Sequence, residues 1–254
     1  MSDLIYQQLS AAAYLPDADA KRSVARLGYR FEGAIHDKTT GADLIVCSNE
    51  NETVVAFRGT EKNYADIMAD LKFRRVDLIP SGKIRVHRGF RAQWGAIRPK
   101  LRKMIGENGD SRLIFTGHSL GGALAVIAGL SWPWCQRVVT FGAPRVGSKA
   151  IKQVFKDEQI LHTRYVYGAD IVPAVPLMAM GFRHDGRPVY LTTNGEAIRD
   201  CPLWQELFGR FLSVFSLKWK SGWTLCPVPE RMYLDHKIAN YGRVLERAEN
   251  NDVR

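Results

Sequence analysis

Apolar residues recur at helical intervals from Leu4 to Tyr14, and Pro16 and Asp17 then read as a stop, so the first expected element is an amphipathic helix docked on a core. Two short β-rich runs follow, Asp43 to Cys47 and Thr53 to Phe57, separated by the polar turn Ser48 to Glu52, which predicts a hairpin. From there the period alternates. Arg91 to Met104 predicts a helix, Leu113 to Thr116 a strand, Leu120 to Leu130 an Ala-rich helix, Val138 to Phe141 a strand and Ser148 to Phe155 a helix. Leu161 to Tyr167 adds a strand, and Val189 to Thr193 extends the sheet beyond it. Strand alternating with helix predicts an α/β chain whose mostly parallel central sheet carries helices on its faces.

Residues 203–217 depart from this alternation. Leu203, Trp204, Leu207, Phe208, Phe211, Leu212 and Phe215 make a broad apolar stripe at helical spacing, with Trp219 and Trp223 close behind. The stripe either covers the core or, beside Arg210, Lys218 and Lys220, forms an element that meets a lipid boundary or an acyl chain.

Length and composition then narrow the setting. With 254 residues and 46% hydrophobic positions, the chain can bury a core as one domain, 1–254, and it carries no repeat or low-complexity tract. The net charge of +10 raises the question of nucleic acid, but the basic residues form no single block. The densest run, Lys72 to Arg75 followed by Lys83, Arg85, His87, Arg88 and Arg91, matches no groove-reading motif; an anionic lipid surface suits the charge better, a plain solvated surface being the alternative. No secretory leader and no span of transmembrane length is legible, so the expectation is a cytoplasmic protein, with export by a signal-independent route as the alternative. The four cysteines, Cys47, Cys135, Cys201 and Cys226, show no zinc spacing and read as reduced thiols, a Cys201 to Cys226 bridge being the alternative.

The chemistry centres on Gly117-His118-Ser119-Leu120-Gly121, which follows an expected strand and opens an expected helix. A sharp strand-to-helix turn of this kind exposes the serine hydroxyl above the sheet edge, and the glycines let the chain fold back without clashes. The positive end of the following helix favours a negatively charged intermediate there. A serine needs a base to accept its proton and a carboxylate to orient that base. Downstream, His236 and His184 are the candidate bases, His236 favoured because a loop before a C-terminal helix can bring it over the sheet. Asp170 emerges from the end of the strand Leu161 to Tyr167, although spacing leaves Asp185, Asp200 and Asp235 open.

Several motifs in one order make a more specific pattern than any one of them. Phe57-Arg58-Gly59-Thr60, Val86-His87-Arg88-Gly89-Phe90, Thr116 to Ala123, Thr140 to Gly147, Asp170-Ile171-Val172-Pro173, Gly181-Phe182-Arg183-His184 and Asp235-His236 together resemble the class 3 lipases, the family of filamentous-fungal triacylglycerol lipases and related bacterial and plant enzymes. The resemblance implies an α/β-hydrolase fold, with Ser119, Asp170 and His236 as the triad and His184 as a family histidine outside it. It further implies an oxyanion hole from Thr60 and the backbone N–H of Leu120, where a fixed donor lowers the barrier by about 3 kcal/mol. His87 reads as a buried structural histidine. A short lid over about 60–71 is also implied, with Tyr64, Ile67 and Met68 on its apolar face.

The expected activity is therefore hydrolysis of carboxylic esters of lipids through an acyl-enzyme on Ser119, without metal or organic cofactor. A phospholipase A1 or a short-chain esterase is the nearest rival, and a catalytically silent lipid-binding protein is the rival from another class. The partners expected are an acyl-ester substrate and peripheral contact with a lipid interface; the Trp-rich amphipathic insertion lies at about 201–226.

Overall fold

The computed structural model describes residues 2–59, 75–78, 84–106, 112–202 and 234–252. Helices α1 (Leu4–Ala12) and α2 (Asp17–Arg26) precede three antiparallel strands, β1 (Arg30–Asp37), β2 (Ala42–Ser48) and β3 (Glu52–Phe57). A two-stranded ribbon, β4 (Arg75–Asp77) with β5 (Arg85–His87), leads into α3 (Arg88–Ile105). Then come β6 (Arg112–His118), α4 (Leu120–Ser131), β7 (Cys135–Phe141), α5 (Ala150–Asp157), β8 (Leu161–Tyr167), β9 (Arg187–Leu191), β10 (Ala197–Arg199) and α6 (Ile238–Asp252).

One eight-stranded sheet runs β1-β2-β3-β6-β7-β8-β9-β10. The stretch from β3 to β9 is parallel and both margins are antiparallel. Its central strands are covered on both faces, which is why Leu113-Ile114-Phe115 is a continuous apolar run and not an alternating one. Leu113 and Phe115 point into a core with α3, α4 and α5, while Ile114 joins the opposite core with α1, α2 and α6. Helices on both faces of a mostly parallel sheet, with a sharp turn between β6 and α4, define the α/β-hydrolase fold.

Small residues bring α4 close to the sheet. A Cβ on Gly129 would lie 2.7 Å from Val138 Cγ2, and one on Gly122 would lie 2.7 Å from Ala143 Cβ. The close packing fixes where α4 begins, and hence where Ser119 sits.

Two sequence expectations change here. Pro16 and Asp17 do not only end the first helix; Pro16 stands at the N-cap position of α2, and Asp17 with Asp19 occupies its first turn, where acids favour a helix start. Strand β1 was not legible, because its sequence mixes charged residues and a glycine, and as an edge strand it buries little. The lid expected at about 60–71, with Tyr64, Ile67 and Met68, lies outside the described residues. So does the Trp-rich segment, apart from Cys201 and Pro202, and with it Cys226. Cys47 and Cys135 are buried free thiols.

Candidate active site

The carboxyl ends of β3, β6, β7 and β8 deliver Arg58-Gly59, His118-Ser119, Gly142 and Gly168-Ala169-Asp170 to one edge of the sheet, where ligands of open α/β sheets bind. At the turn from β6 to α4, Ser119 has φ 58° and ψ −130°, a conformation that costs an ordinary L-residue about 1–3 kcal/mol. Tertiary contacts enforce it. Ser119 N–H donates to the Phe141 carbonyl at 2.9 Å, and Gly122 N–H donates back to the Ser119 carbonyl at 3.0 Å. A Cβ on Gly117 would come within 2.5 Å of the Gly121 backbone, so this turn requires glycine there.

The strained serine meets a hydrogen-bonded chain. Ser119 Oγ lies 2.8 Å from His236 Nε2, and His236 Nδ1 lies 2.8 Å from Asp170 Oδ2. Asp170 is fully buried, His236 is 6% exposed and Ser119 1%. Burial alone would raise the Asp170 carboxyl, but its electrostatic interaction with His236 and hydrogen bonds from His236, from the Tyr241 hydroxyl at 2.5 Å and from Val172 N–H at 2.9 Å hold it below the usual carboxylate range. Asp170 is therefore ionised and oriented, able to fix the His236 tautomer that leaves Nε2 facing the serine.

Other candidates left open by spacing have different partners. His184 Nε2 donates to the Pro173 carbonyl at 2.6 Å. Asp185 lies 2.7 Å from His162 Nδ1 in a separate buried pair, and Asp235 Oδ2 accepts the Ala169 N–H at 2.8 Å, bracing the turn that carries Asp170. Asp200 stands at the end of β10, with φ 50°. His87 is buried against Phe90 and Phe182.

Of the expected oxyanion donors, Leu120 is the first residue of α4, where N–H groups lack intrahelical acceptors. Thr60 lies outside the described residues, but Gly59 before it packs against the elbow: a Cβ there would lie 3.1 Å from Ser119 Cβ.

Two residues that sequence reasoning missed tie these parts together. The Tyr14 hydroxyl accepts from Gly59 N–H at 3.1 Å and lies 2.8 Å from His118 Nδ1. His118 Nε2 donates to the His236 carbonyl at 2.6 Å, with the two imidazole rings 4.6 Å apart. Burial, and then the neighbouring His236, push His118 down to about 3, so it stays neutral beside His236. Tyr241 is the third missed residue; besides holding Asp170, its oxygen accepts the Tyr167 N–H at 3.2 Å. No local motif marks Tyr14 or Tyr241, since their partners lie 104 and 71 residues away.

The fold and this edge constellation define an α/β-hydrolase-type site. Comparison with known proteins identifies the family: the class 3 lipase model matches residues 54–180, and the chain belongs to that family. The lipase of Rhizomucor miehei is 30% identical over 64% of this chain and 48% of its own length. The secreted mono- and diacylglycerol lipase A of Penicillium camembertii is 26% identical over 68% of this chain and 58% of its own. The chain thus spans about half the length of these curated relatives. A solved triacylglycerol lipase, described as having a serine-protease triad at its catalytic centre, superposes with a TM-score of 0.68 at 26% identity, covering 78% of this chain and 82% of that one. The same comparisons overturn the cytoplasmic expectation: several relatives are described as secreted mono- and diacylglycerol lipases.

Proposed function

We propose that this chain hydrolyses carboxylic esters of lipids by covalent catalysis at Ser119. The observation that carries the reading is the pair of 2.8 Å contacts linking Ser119 Oγ to His236 and His236 to the buried Asp170, on a strained elbow. His236 Nε2 takes the Ser119 proton as Oγ attacks the ester carbonyl carbon, and Asp170 stabilises the imidazolium that forms. The N–H groups of Leu120 and Thr60 receive the oxyanion, each lowering the barrier by about 3 kcal/mol. Collapse of the tetrahedral intermediate breaks the ester C–O bond, and His236 returns its proton to the departing alcohol. Water, deprotonated by the same histidine, then releases the acyl group as a carboxylic acid.

Acylglycerols are the substrate class that the relatives' descriptions favour, and the physical partner is a lipid interface. Residues 1–254 act as one catalytic domain, since both cores rest on a single sheet.

Labelling by a fluorophosphonate tests the nucleophile. Wild type should label and Ser119→Ala should not, with Asp170→Asn retarded in ester turnover on the order of 10⁴-fold, the scale typical of losing a triad acid. Hydrolysis of tri-, di- and monoacylglycerols, phospholipids and short esters then ranks the substrates. Absence of labelling in the presence of lipid would overturn the enzymatic reading in favour of a silent lipid binder.

A further inference from the structure

The amino end of the sheet carries a cleft that the proposed reaction does not use. It encloses about 740 Å³, within the range of about 300–1,000 Å³ in which single small molecules bind, and lies between α5 and the starts of β8 and β9. Its wall is a built one. His162, the second residue of β8, is buried, with Nδ1 2.7 Å from Asp185 Oδ2, Nε2 3.2 Å from Thr140 Oγ1 and its ring centre 5.5 Å from that of Phe155. Gly186, at φ 78°, closes over the imidazole, where a Cβ would lie 2.5 Å from Nδ1. With both ring nitrogens engaged, His162 shapes the cleft and holds no lone pair in reserve for chemistry. The strand itself separates this cleft from the candidate active site: Asp170 follows the far end of β8, about 25 Å away at the rise of an extended chain.

Two kinds of side chain line the cleft, and together they select a ligand. Ile160, Leu161 and Pro188 join Phe155 as the apolar lining, and Leu161, 61% exposed, is the most exposed large hydrophobic side chain among the described residues. Lys152 and Lys156, one turn apart on α5, and Arg187 at the start of β9 are exposed cations that pair with no acid among the described residues. Arg137 also lines the cleft but is held by Asp3 at 2.7 Å, and Asp200 is the one acid in the lining. Like charges one turn apart on a helix repel, so an anion between Lys152 and Lys156 relieves a cost the fold leaves standing. An aliphatic chain on Leu161 and Ile160 with an anionic head among the three cations satisfies both parts at once. A bare anion would leave the apolar lining in water, and a neutral chain would leave the cations unpaired.

We infer that this cleft binds a long-chain carboxylate, the class of acid that the proposed hydrolysis releases, at a site separate from Ser119. The inference rests on that reading for the source of the anion; the binding is measurable without turnover.

The test is isothermal titration calorimetry of the full chain with octanoate and decanoate below their micelle concentrations, after Ser119 has been capped by a long-chain alkyl fluorophosphonate that fills the candidate active site. One equivalent should bind, and decanoate should bind about fourfold tighter than octanoate, the gain for two methylenes half removed from water. Acetate, inorganic phosphate and decyltrimethylammonium, which lack either the chain or the negative charge, should bind at least tenfold more weakly than decanoate. Lys152→Gln and Arg187→Gln should each weaken decanoate about threefold, the scale of an exposed ion pair, and Leu161→Asn should abolish the preference for the longer chain. All three positions are exposed, and fluorophosphonate labelling and Tm should match wild type. Absence of binding to the capped protein, equal binding of acetate or of the cationic detergent, or unchanged affinity in all three variants would overturn the inference. Failure of Ser119 to label, with decanoate binding that still responds to the three substitutions, would instead overturn the hydrolase reading alone.

Discussion

Removing the Tyr14 hydroxyl tests whether serine, base and oxyanion strand are held as one unit. That oxygen takes the Gly59 N–H at 3.1 Å and sits 2.8 Å from His118 Nδ1, while His118 fixes the carbonyl of His236 at 2.6 Å. Tyr14→Phe keeps the ring and deprives two groups of this partner, each at about 1–3 kcal/mol if buried. Tyr14 is half-buried, so water recovers part of the loss and the total should be about 2 kcal/mol. For a chain of this size that lowers Tm by about 4–8 °C. The kinetic effect follows from position. Gly59 packs on Ser119, and a misplacement of about 1 Å costs on the order of 10²-fold in rate, so a partial loosening should reduce kcat about tenfold. KM for a soluble short ester should change less than twofold, because neither tyrosine nor His118 needs to touch the substrate. Steady-state kinetics well below the lowered Tm, with the pH profile of kcat, separates the outcomes. A normal kcat with lowered Tm would reduce Tyr14 to a structural role, and a raised KM with unchanged kcat would make it a substrate contact; either refutes the reasoning.

Two further substitutions probe the elbow. Ser119→Gly and Ser119→Ala both delete the hydroxyl, but only glycine accepts φ 58° without strain, so the glycine variant should be the more stable by about 1 kcal/mol in urea unfolding; equal stabilities would mean that the turn stores no strain. His118 is held neutral with its pKa near 3, below that of a free imidazole, so the unfolded chain binds the proton first as pH falls. Its contribution to stability is therefore complete above about pH 6.5 and is lost on acidification towards pH 3, at up to about 1.4 kcal/mol per unit. His118→Gln should flatten the stability profile between about pH 6.5 and 4.5, before carboxylates dominate; a profile as steep as that of wild type would remove His118 as the cause.

The sheet and the elbow were legible because both are written locally. A buried parallel strand needs only a run such as Leu113-Ile114-Phe115, and the sharp turn needs glycines flanking Ser119, so spacing along a few residues suffices. The hairpin from Ala42 to Phe57 and the strand Leu161–Tyr167 were legible for the same reason. Strand β1 was not, since an edge strand has little burial to impose a pattern, and α2 was hidden because proline both ends one helix and starts the next.

By itself, the sequence determined which residues could do the chemistry: a serine on a sharp turn, acids at a strand end and histidines downstream. Only the tertiary structure decided which of them meet, bringing His236 across 117 residues to Ser119 and across 66 to Asp170, while giving His184 and Asp185 other partners. The physical reason is range. Backbone turns and burial act between neighbours in the chain, whereas a hydrogen bond of 2.8 Å depends on where the sheet carries distant strand ends, and no local pattern encodes that distance.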